Sequence, residues 1–312
     1  MGTSKISLAA LKVMEPLKIN RHAQFVEHET TLILEQYGLC LPNFDGYHTM
    51  SSYLFPEANA ERLSAIILLN DWLFYLDDMF DRNVDPSRNR KAYFLQLAGV
   101  IKTGQGDETD SAQAFAIYLH RLFGQISNPY WLRRFIMNTE DHLKAASKGI
   151  DELLDEYRGD ELIHEFIQLR MADSGMKPTC DLIEFAHDIY LPDAVWQHEV
   201  VREARNLCVN IGGLMNDIFS YEKEVMELSS EFNLVALLER IGMPFDEAVE
   251  EAIRHINLYM AKFHALKAQL PDEENVALYY QGLSDQIGAA YHWQLATSRY
   301  KSESSPYLEL TI

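Results

Sequence analysis

Between residues 58 and 81 one helical stretch carries a nearly unbroken apolar face: Leu63, Ile66, Ile67, Leu69, Trp72, Leu73 and Leu76. It then runs directly into Asp77-Asp78-Met79-Phe80-Asp81. Bulk all round a helix, as in Trp72-Leu73-Phe74-Tyr75-Leu76, means that this end is buried. Carboxylates there are costly unless cations compensate them. Any fold for this chain must therefore bring an anionic helix end against an apolar interior and supply the positive charge.

The rest of the chain is also helical in pattern, and β-hairpin signals are nearly absent. A first helix is expected over 20–38, ending at Gly38, with a loop through Pro42 and Gly46. Further helical patterns cover 89–103, 110–126, 129–156, 159–171, 180–189, 193–227, 231–241, 244–269, 273–284 and 286–300. No internal repeat or low-complexity linker separates them. The expected architecture is all-α: one domain over 1–312, with its core at about 20–300 and flexible tails at 1–19 and 301–312.

Composition narrows the partners. A formal charge of −20, from 47 acidic and 27 basic residues, repels nucleic acid and anionic membranes. A polyphosphate ligand would need locally placed cations and metal ions. Cys40, Cys180 and Cys208 are widely spaced without a CxxC pattern and read as reduced thiols. The first residues, MGTSKISLAALKVMEPLK, lack the long apolar core of a secretory leader. The apolar run Ser64–Leu76 is too short and too polar to span a bilayer. A cytoplasmic protein is the expectation.

Two clusters carry chemistry. Asp77 and Asp81 are i and i+4; Asn216, Ser220 and Glu224 are i, i+4 and i+8. Four residues advance a helix by about 400°, so each set forms one stripe of hard oxygen donors, the kind Mg²⁺ prefers. Asp85 is one step further on and is expected to face solvent. An EF-hand is excluded, because Arg82 takes the place of the turn glycine and Arg88 that of the twelfth-position ligand. Lys223, beside the second stripe, can reach a phosphate oxygen. Arg170, on an apolar helix that breaks near Gly175, and the pair Arg299-Tyr300 complete a phosphate-binding set.

These elements together resemble the class I terpene synthases of the microbial type, over about residues 20–300. Asp77-Asp78-Met79-Phe80-Asp81 matches the family's aspartate-rich motif. Asn216, Asp217, Ser220, Lys223 and Glu224 meet its NDxxSxxKE motif in full. Arg170, 46 residues before Asn216, matches its pyrophosphate sensor, and Arg299-Tyr300 its terminal RY pair. The resemblance implies antiparallel helices around a deep apolar cavity and three Mg²⁺ ions, with Mn²⁺ as a substitute. Asp77, Asp78 and Asp81 would belong to the first metal site, and Asn216, Ser220 and Glu224 to the second. Arg170, Lys223, Arg299 and Tyr300 would donate to the substrate diphosphate. Asp173, Ser174 and Gly175 fall on the helix break that carries the linker and effector positions; many relatives have Gly where Ser174 stands. Many relatives also form homodimers.

The implied chemistry is ionisation of an allylic prenyl diphosphate to a carbocation that cyclises in a water-poor pocket. Aromatic faces stabilise such a cation by roughly 0.5–2 kcal/mol each. Phe74 and Trp293 are the leading candidates; Phe55, Phe80 and Trp196 follow. Farnesyl diphosphate is the favoured substrate and geranylgeranyl diphosphate the alternative. A chain-elongating prenyltransferase normally carries a second aspartate-rich motif, and a non-catalytic binder leaves the intact motifs unexplained.

Overall fold

The computed structural model describes residues 5–39, 47–81, 88–145, 151–228 and 232–312, with backbone alone at 81, 151 and 152. Its helices in chain order are α1 (Ala23–Gln36), α2 (Tyr47–Leu54), α3 (Ala60–Asp81), α4 (Arg90–Thr103), α5 (Ser111–Ile126), α6 (Pro129–Ala145) and α7 (Asp151–Glu156). There follow α8 (Gly159–Asp173), α9 (Met176–His187), α10 (Asp193–Trp196), α11 (Glu199–Phe219), α12 (Leu234–Arg240), α13 (Phe245–Leu266) and α14 (Glu274–Ala296). Local chemistry starts several of them. Asn89, Asp110 and Asn233 each accept a first-turn backbone N–H, at the starts of α4, α5 and α12. Gly104, at φ 66°, ends α4 in the left-handed conformation that glycine permits.

Helix α11 is the central column and packs against α8, α9, α12, α13 and α14. Helices α2, α3, α4 and α6 close the other side, through α2–α3, α2–α14, α4–α6 and α6–α9 contacts. Among the described residues no helix is long and apolar enough to cross a membrane.

The structure departs from the sequence expectations in four places. Helix α2 emerges over residues to which no pattern was assigned, because YHTMSSYL is too short and polar to announce itself by periodicity. The pattern at 193–227 divides: α10 ends at Trp196, α11 ends at Phe219, and a π-helical turn follows over Glu222–Glu227. The patterns at 273–284 and 286–300 are one helix through Ala296. Asp285 does not interrupt it, since Lys18 reaches that carboxylate at 2.8 Å. The terminal segments, read as flexible tails, are packed together. Ile6 N–H donates to the Pro306 carbonyl at 2.8 Å, and Leu308 N–H to that of Ile6 at 2.9 Å. Leu8, Leu11, Tyr307 and Leu310 are buried there, so both ends join the apolar core.

Candidate active site

A cavity of about 800 Å³ lies between α2, α3, α4, α6, α8, α9, α11 and α14. Its walls include Met50, Leu54, Leu73, Phe94, Met176 and Ala290. It is also lined by Asp77, Arg170, Asn216, Glu224, Arg299 and Tyr300, which come from distant parts of the chain.

Asp77 and Asp78 diverge, as neighbours on a helix must, by about 100°. Asp77 faces the cavity and lies 3.3 Å from Arg299 and 3.7 Å from Arg90. Asp78, expected beside it in the first metal site, is buried and is not part of the cavity wall. It accepts a 2.6 Å hydrogen bond from the Tyr47 hydroxyl and a 2.8 Å bond from Arg299, and Lys223 lies 3.4 Å away. Burial raises its pKa, but Arg299, Tyr47 and Lys223 outweigh that and hold the carboxyl below its ordinary range. The Asp81 side chain and Asp85 lie outside the described residues.

The second cluster sits at the end of α11. The Asn216 amide oxygen accepts from Arg170 at 2.9 Å, and its NH₂ donates to Tyr300 at 3.0 Å and to Gln294 at 3.3 Å. Ser220 is buried, and its hydroxyl donates to the Asn216 carbonyl at 2.6 Å. Glu224 lines the cavity, and burial pushes its carboxyl up to about 7 despite the pull of Arg170. Among the described residues no three His, Cys, Asp or Glu side chains converge into a metal site. Asn216 and Glu224 bring an amide and a carboxylate to the cavity, whereas Ser220 is not part of its wall. That set fits a hard divalent cation, which would also relieve the buried charge of Glu224.

Arg170 is held on three sides. Its Nε donates to Asp217 at 2.7 Å, one Nη to Asp173 at 3.1 Å and the other to Asn216 at 2.9 Å. Burial opposes its charge, but Asp217 and Asp173 more than offset that and keep it a cation. Asp217, quoted within the motif but given no role from sequence, also accepts the Leu234 N–H at 2.9 Å and so ties Arg170 to the start of α12. Beyond Asp173 the chain breaks: Ser174 caps α8, and Gly175, at φ 71°, opens α9. All three line the cavity.

The aromatic expectations divide. Phe74, Phe80 and Trp293 line the cavity. Phe74 stacks on Tyr47 with centroids 4.2 Å apart and lies 6.0 Å from Trp293, which meets Tyr300 edge-on at 6.0 Å. Phe55 is core and not wall. Trp196 is elsewhere, its indole contacted by Arg134 at 4.3 Å and Arg205 at 3.7 Å. The structure adds Tyr47, Phe94, His142 and Phe232, which no motif marked. Tyr47 also takes a hydrogen bond from Arg299 and stands under its guanidinium.

Residues 69–262 match the family model "Terpene synthase family 2, C-terminal metal binding". This chain belongs to terpene synthase family 2. It is a terpene synthase, a lyase of the class that acts on prenyl diphosphates. It is 28% identical over 284 residues to 10-epi-cubebol synthase of Sorangium cellulosum (strain So ce56), covering 86% of this chain and 88% of that one. Pristinol synthase of Streptomyces pristinaespiralis is 26% identical, over 94% of this chain and 84% of its own. Wild-type cucumene synthase superposes with a TM-score of 0.74 at 22% identity, covering 92% of this chain and all (100%) of its own. Germacradien-4-ol synthase from Streptomyces citricolor superposes with a TM-score of 0.76 at 20% identity, covering 91% and 99%. These likenesses bear out the all-α terpene synthase bundle.

Proposed function

We propose that this terpene synthase ionises farnesyl diphosphate with the help of Mg²⁺, releases diphosphate and cyclises the cation to a sesquiterpene. The observation that carries the reading is the convergence of Arg170, Arg299, Tyr300, Asn216, Glu224 and Asp77 on one cavity that is also lined by Leu73, Phe74, Phe94 and Trp293. A relative named sesquiterpene synthase, from Cyclocybe aegerita, 26% identical over 311 residues, supports the C15 choice.

Asp77 with Asp81, and Asn216, Ser220 and Glu224, would hold the metal ions, with Mn²⁺ able to replace Mg²⁺. When bound, such ions neutralise the diphosphate and make it a better leaving group. Arg170, Arg299, Tyr300 and Lys223 would donate to the diphosphate oxygens. Arg170, Arg299 and Lys223 pair with Asp217, Asp173, Asp77 and Asp78. Substrate binding is thus an exchange of partners, in which Asp78 and Tyr47 keep Arg299 aimed at the cavity. Phe74 and Trp293 present rings to the developing cation. Backbone at the Asp173–Ser174–Gly175 break faces the reacting carbons. The walls exclude water, which would quench the cation.

The test is incubation with Mg²⁺ or Mn²⁺ and, separately, geranyl, farnesyl and geranylgeranyl diphosphates, followed by gas chromatography–mass spectrometry. A C15 product from farnesyl diphosphate, abolished by EDTA, is expected. A C20 product alone would replace the substrate assignment, which a cavity in the upper part of the usual size range for small-molecule sites also allows. Metal-independent turnover, or none with any of the three, would refute the reading.

A further inference from the structure

Helix α3 turns one continuous stripe to the cavity: Asn70, Leu73, Phe74, Asp77 and Phe80. Asn70 begins the stripe, about 10 Å along the helix from Asp77. Its neighbours on this wall are apolar, Leu73 and Phe74 on α3 and Met50 and Leu54 on α2. An amide in such a place is costly unless both of its ends are hydrogen-bonded. One end is: the NH₂ donates to the buried Ser51 hydroxyl of α2 at 2.9 Å. Among the described residues no group donates to the other end, the amide oxygen. The other side-chain amides on the wall differ. The Asn89 oxygen accepts from the Ala92 N–H at 2.9 Å, that of Asn216 from Arg170 at 2.9 Å and that of Gln294 from Asn216 at 3.3 Å. Nor is the Asn70 oxygen sealed in by its surroundings. In a residue only 6% exposed, it therefore opens on the cavity.

That acceptor needs a donor, and the hydrocarbon part of a prenyl diphosphate has none. A water molecule has two, and is held where it finds more than one polar partner. Thr179 of α9 is a second. It lines the same cavity, and its hydroxyl gives its hydrogen to the Gly175 carbonyl at 2.8 Å, so towards the cavity it too can only accept. Helix α9 runs antiparallel to α3: Arg62, in the first turn of α3, donates to the Phe185 carbonyl and to Asp188 at the end of α9. From that contact Asn70 is about 12 Å along one helix and Thr179 about 9 Å along the other, which brings them to a similar level. A water that donates to both oxygens turns its lone pairs to the cavity.

We propose that Asn70 holds a water molecule that captures the final carbocation, so that the product is a terpene alcohol. The inference rests on the reaction proposed above. Bulk water in the pocket would quench the first cation formed. One water fixed on Asn70, about 10 Å along α3 from Asp77, instead meets positive charge that has moved away from the diphosphate. A lone pair of the water oxygen forms the new C–O bond to the cationic carbon. The extra proton of the resulting oxonium passes to the released diphosphate, and nothing is oxidised or reduced.

The test gives wild type, Asn70→Leu and Asn70→Asp the prenyl diphosphate that the wild type turns over, with Mg²⁺ in H₂¹⁸O, and reads the products by gas chromatography–mass spectrometry. The wild type should yield an alcohol carrying ¹⁸O as its main product. Leu nearly keeps the volume and removes the acceptor, so the ratio of alcohol to hydrocarbon should fall at least about tenfold. Asp keeps an accepting oxygen in the same place, so labelled alcohol should remain the main product. A wild type that gives only hydrocarbon would overturn the proposal whether or not the variants fold, and would leave the ionisation reaction standing. Labelled alcohol from Asn70→Leu in the wild-type ratio would do the same, as would its equal loss from Asn70→Leu and Asn70→Asp, since shape and not the acceptor would then decide. A wild type without any product would overturn the underlying reaction, and the proposal with it.

Discussion

Asp217→Asn tests whether the sensor arginine is held by its buried ion pair. In the wild type both Asp217 oxygens accept: Oδ1 from Arg170 Nε at 2.7 Å, Oδ2 from Leu234 N–H at 2.9 Å. An Asn side chain has one acceptor oxygen and one donor NH₂, so one of those N–H groups must face another donor. Removing one partner of a buried pair costs about 3–5 kcal/mol. Asp173 and Asn216 still contact Arg170, which places the expected cost near the lower end, about 3 kcal/mol. For 312 residues the unfolding entropy is roughly 0.66 kcal/mol/K, so the melting temperature should drop by about 5 °C. The guanidinium also loses its aim, and kcat should fall by at least about tenfold. Thermal and urea unfolding in EDTA, with steady-state kinetics in Mg²⁺, measure both effects. A cycle with Arg170→Met then isolates the pair, and a coupling above about 1 kcal/mol is expected for contacting partners. A melting temperature unchanged in Asp217→Asn, with coupling below about 0.5 kcal/mol, would show that the pair does not hold Arg170.

Three further outcomes follow from the same geometry. Burial pushes the Asp181 carboxyl up to about 6 from an ordinary value of 3.8, against the pull of Asn138, Arg205 and Arg134. The folded state therefore holds this proton more tightly than the unfolded chain. The stability it contributes is full below about pH 3.8 and is lost as pH rises through about 6, so Asp181→Asn should gain up to about 3 kcal/mol on wild type between pH 4 and pH 8; a difference independent of pH would refute it. Tyr47→Phe takes a donor from Asp78 and an acceptor from Arg299, and should cost about 1–2 kcal/mol in urea unfolding and raise KM several-fold; an unaltered KM would separate Arg299 from substrate binding. A Cβ on Gly212 would come within 2.7 Å of Met176 Cε and 2.9 Å of its Sδ. Methionine is flexible, so Gly212→Ala should displace Met176 within the cavity and change product ratios by gas chromatography with little loss of stability.

The helical class was legible because it rests on a single period. A residue's face on its own helix follows from 3.6 residues per turn, but α11 ends at Phe219 and Glu224 lies in a π-helical turn, so Asn216 and Glu224 reach the cavity by a winding that the period does not describe. Breaks were less legible. The patterns at 273–284 and 286–300 leave a gap at Asp285 until Lys18 is seen against it, and Gly282 and Gly288 flank that gap. In the fold they are contact points instead: a Cβ would stand 2.4 Å from Ile183 at Gly282 and 2.7 Å from Glu15 at Gly288. Phe55 and Trp196 show the same gap for side chains, since apolar bulk says that a residue is buried and not which space it borders.

The same distinction separates the residues of the motifs from the residues that hold them in place. The motifs name groups that line the cavity: Asp77, Arg170, Asn216, Glu224 and Arg299. What holds them comes from across the fold. Tyr47 reaches Asp78 over 31 residues, and Asp217 reaches Arg170 over 47. Neither separation leaves a periodic trace, because it depends on which helices pack and not on how one is wound. The π-helical turn at Glu222–Glu227 belongs here too. The Glu222 carboxylate accepts the hydroxyls of Ser302 and Ser304, each at 2.6 Å, and so anchors the chain just after Arg299-Tyr300. The C-terminal segment is thereby coupled to the second metal cluster. Disturbing Glu222 should consequently loosen Arg299 and Tyr300, although it is not part of the cavity wall.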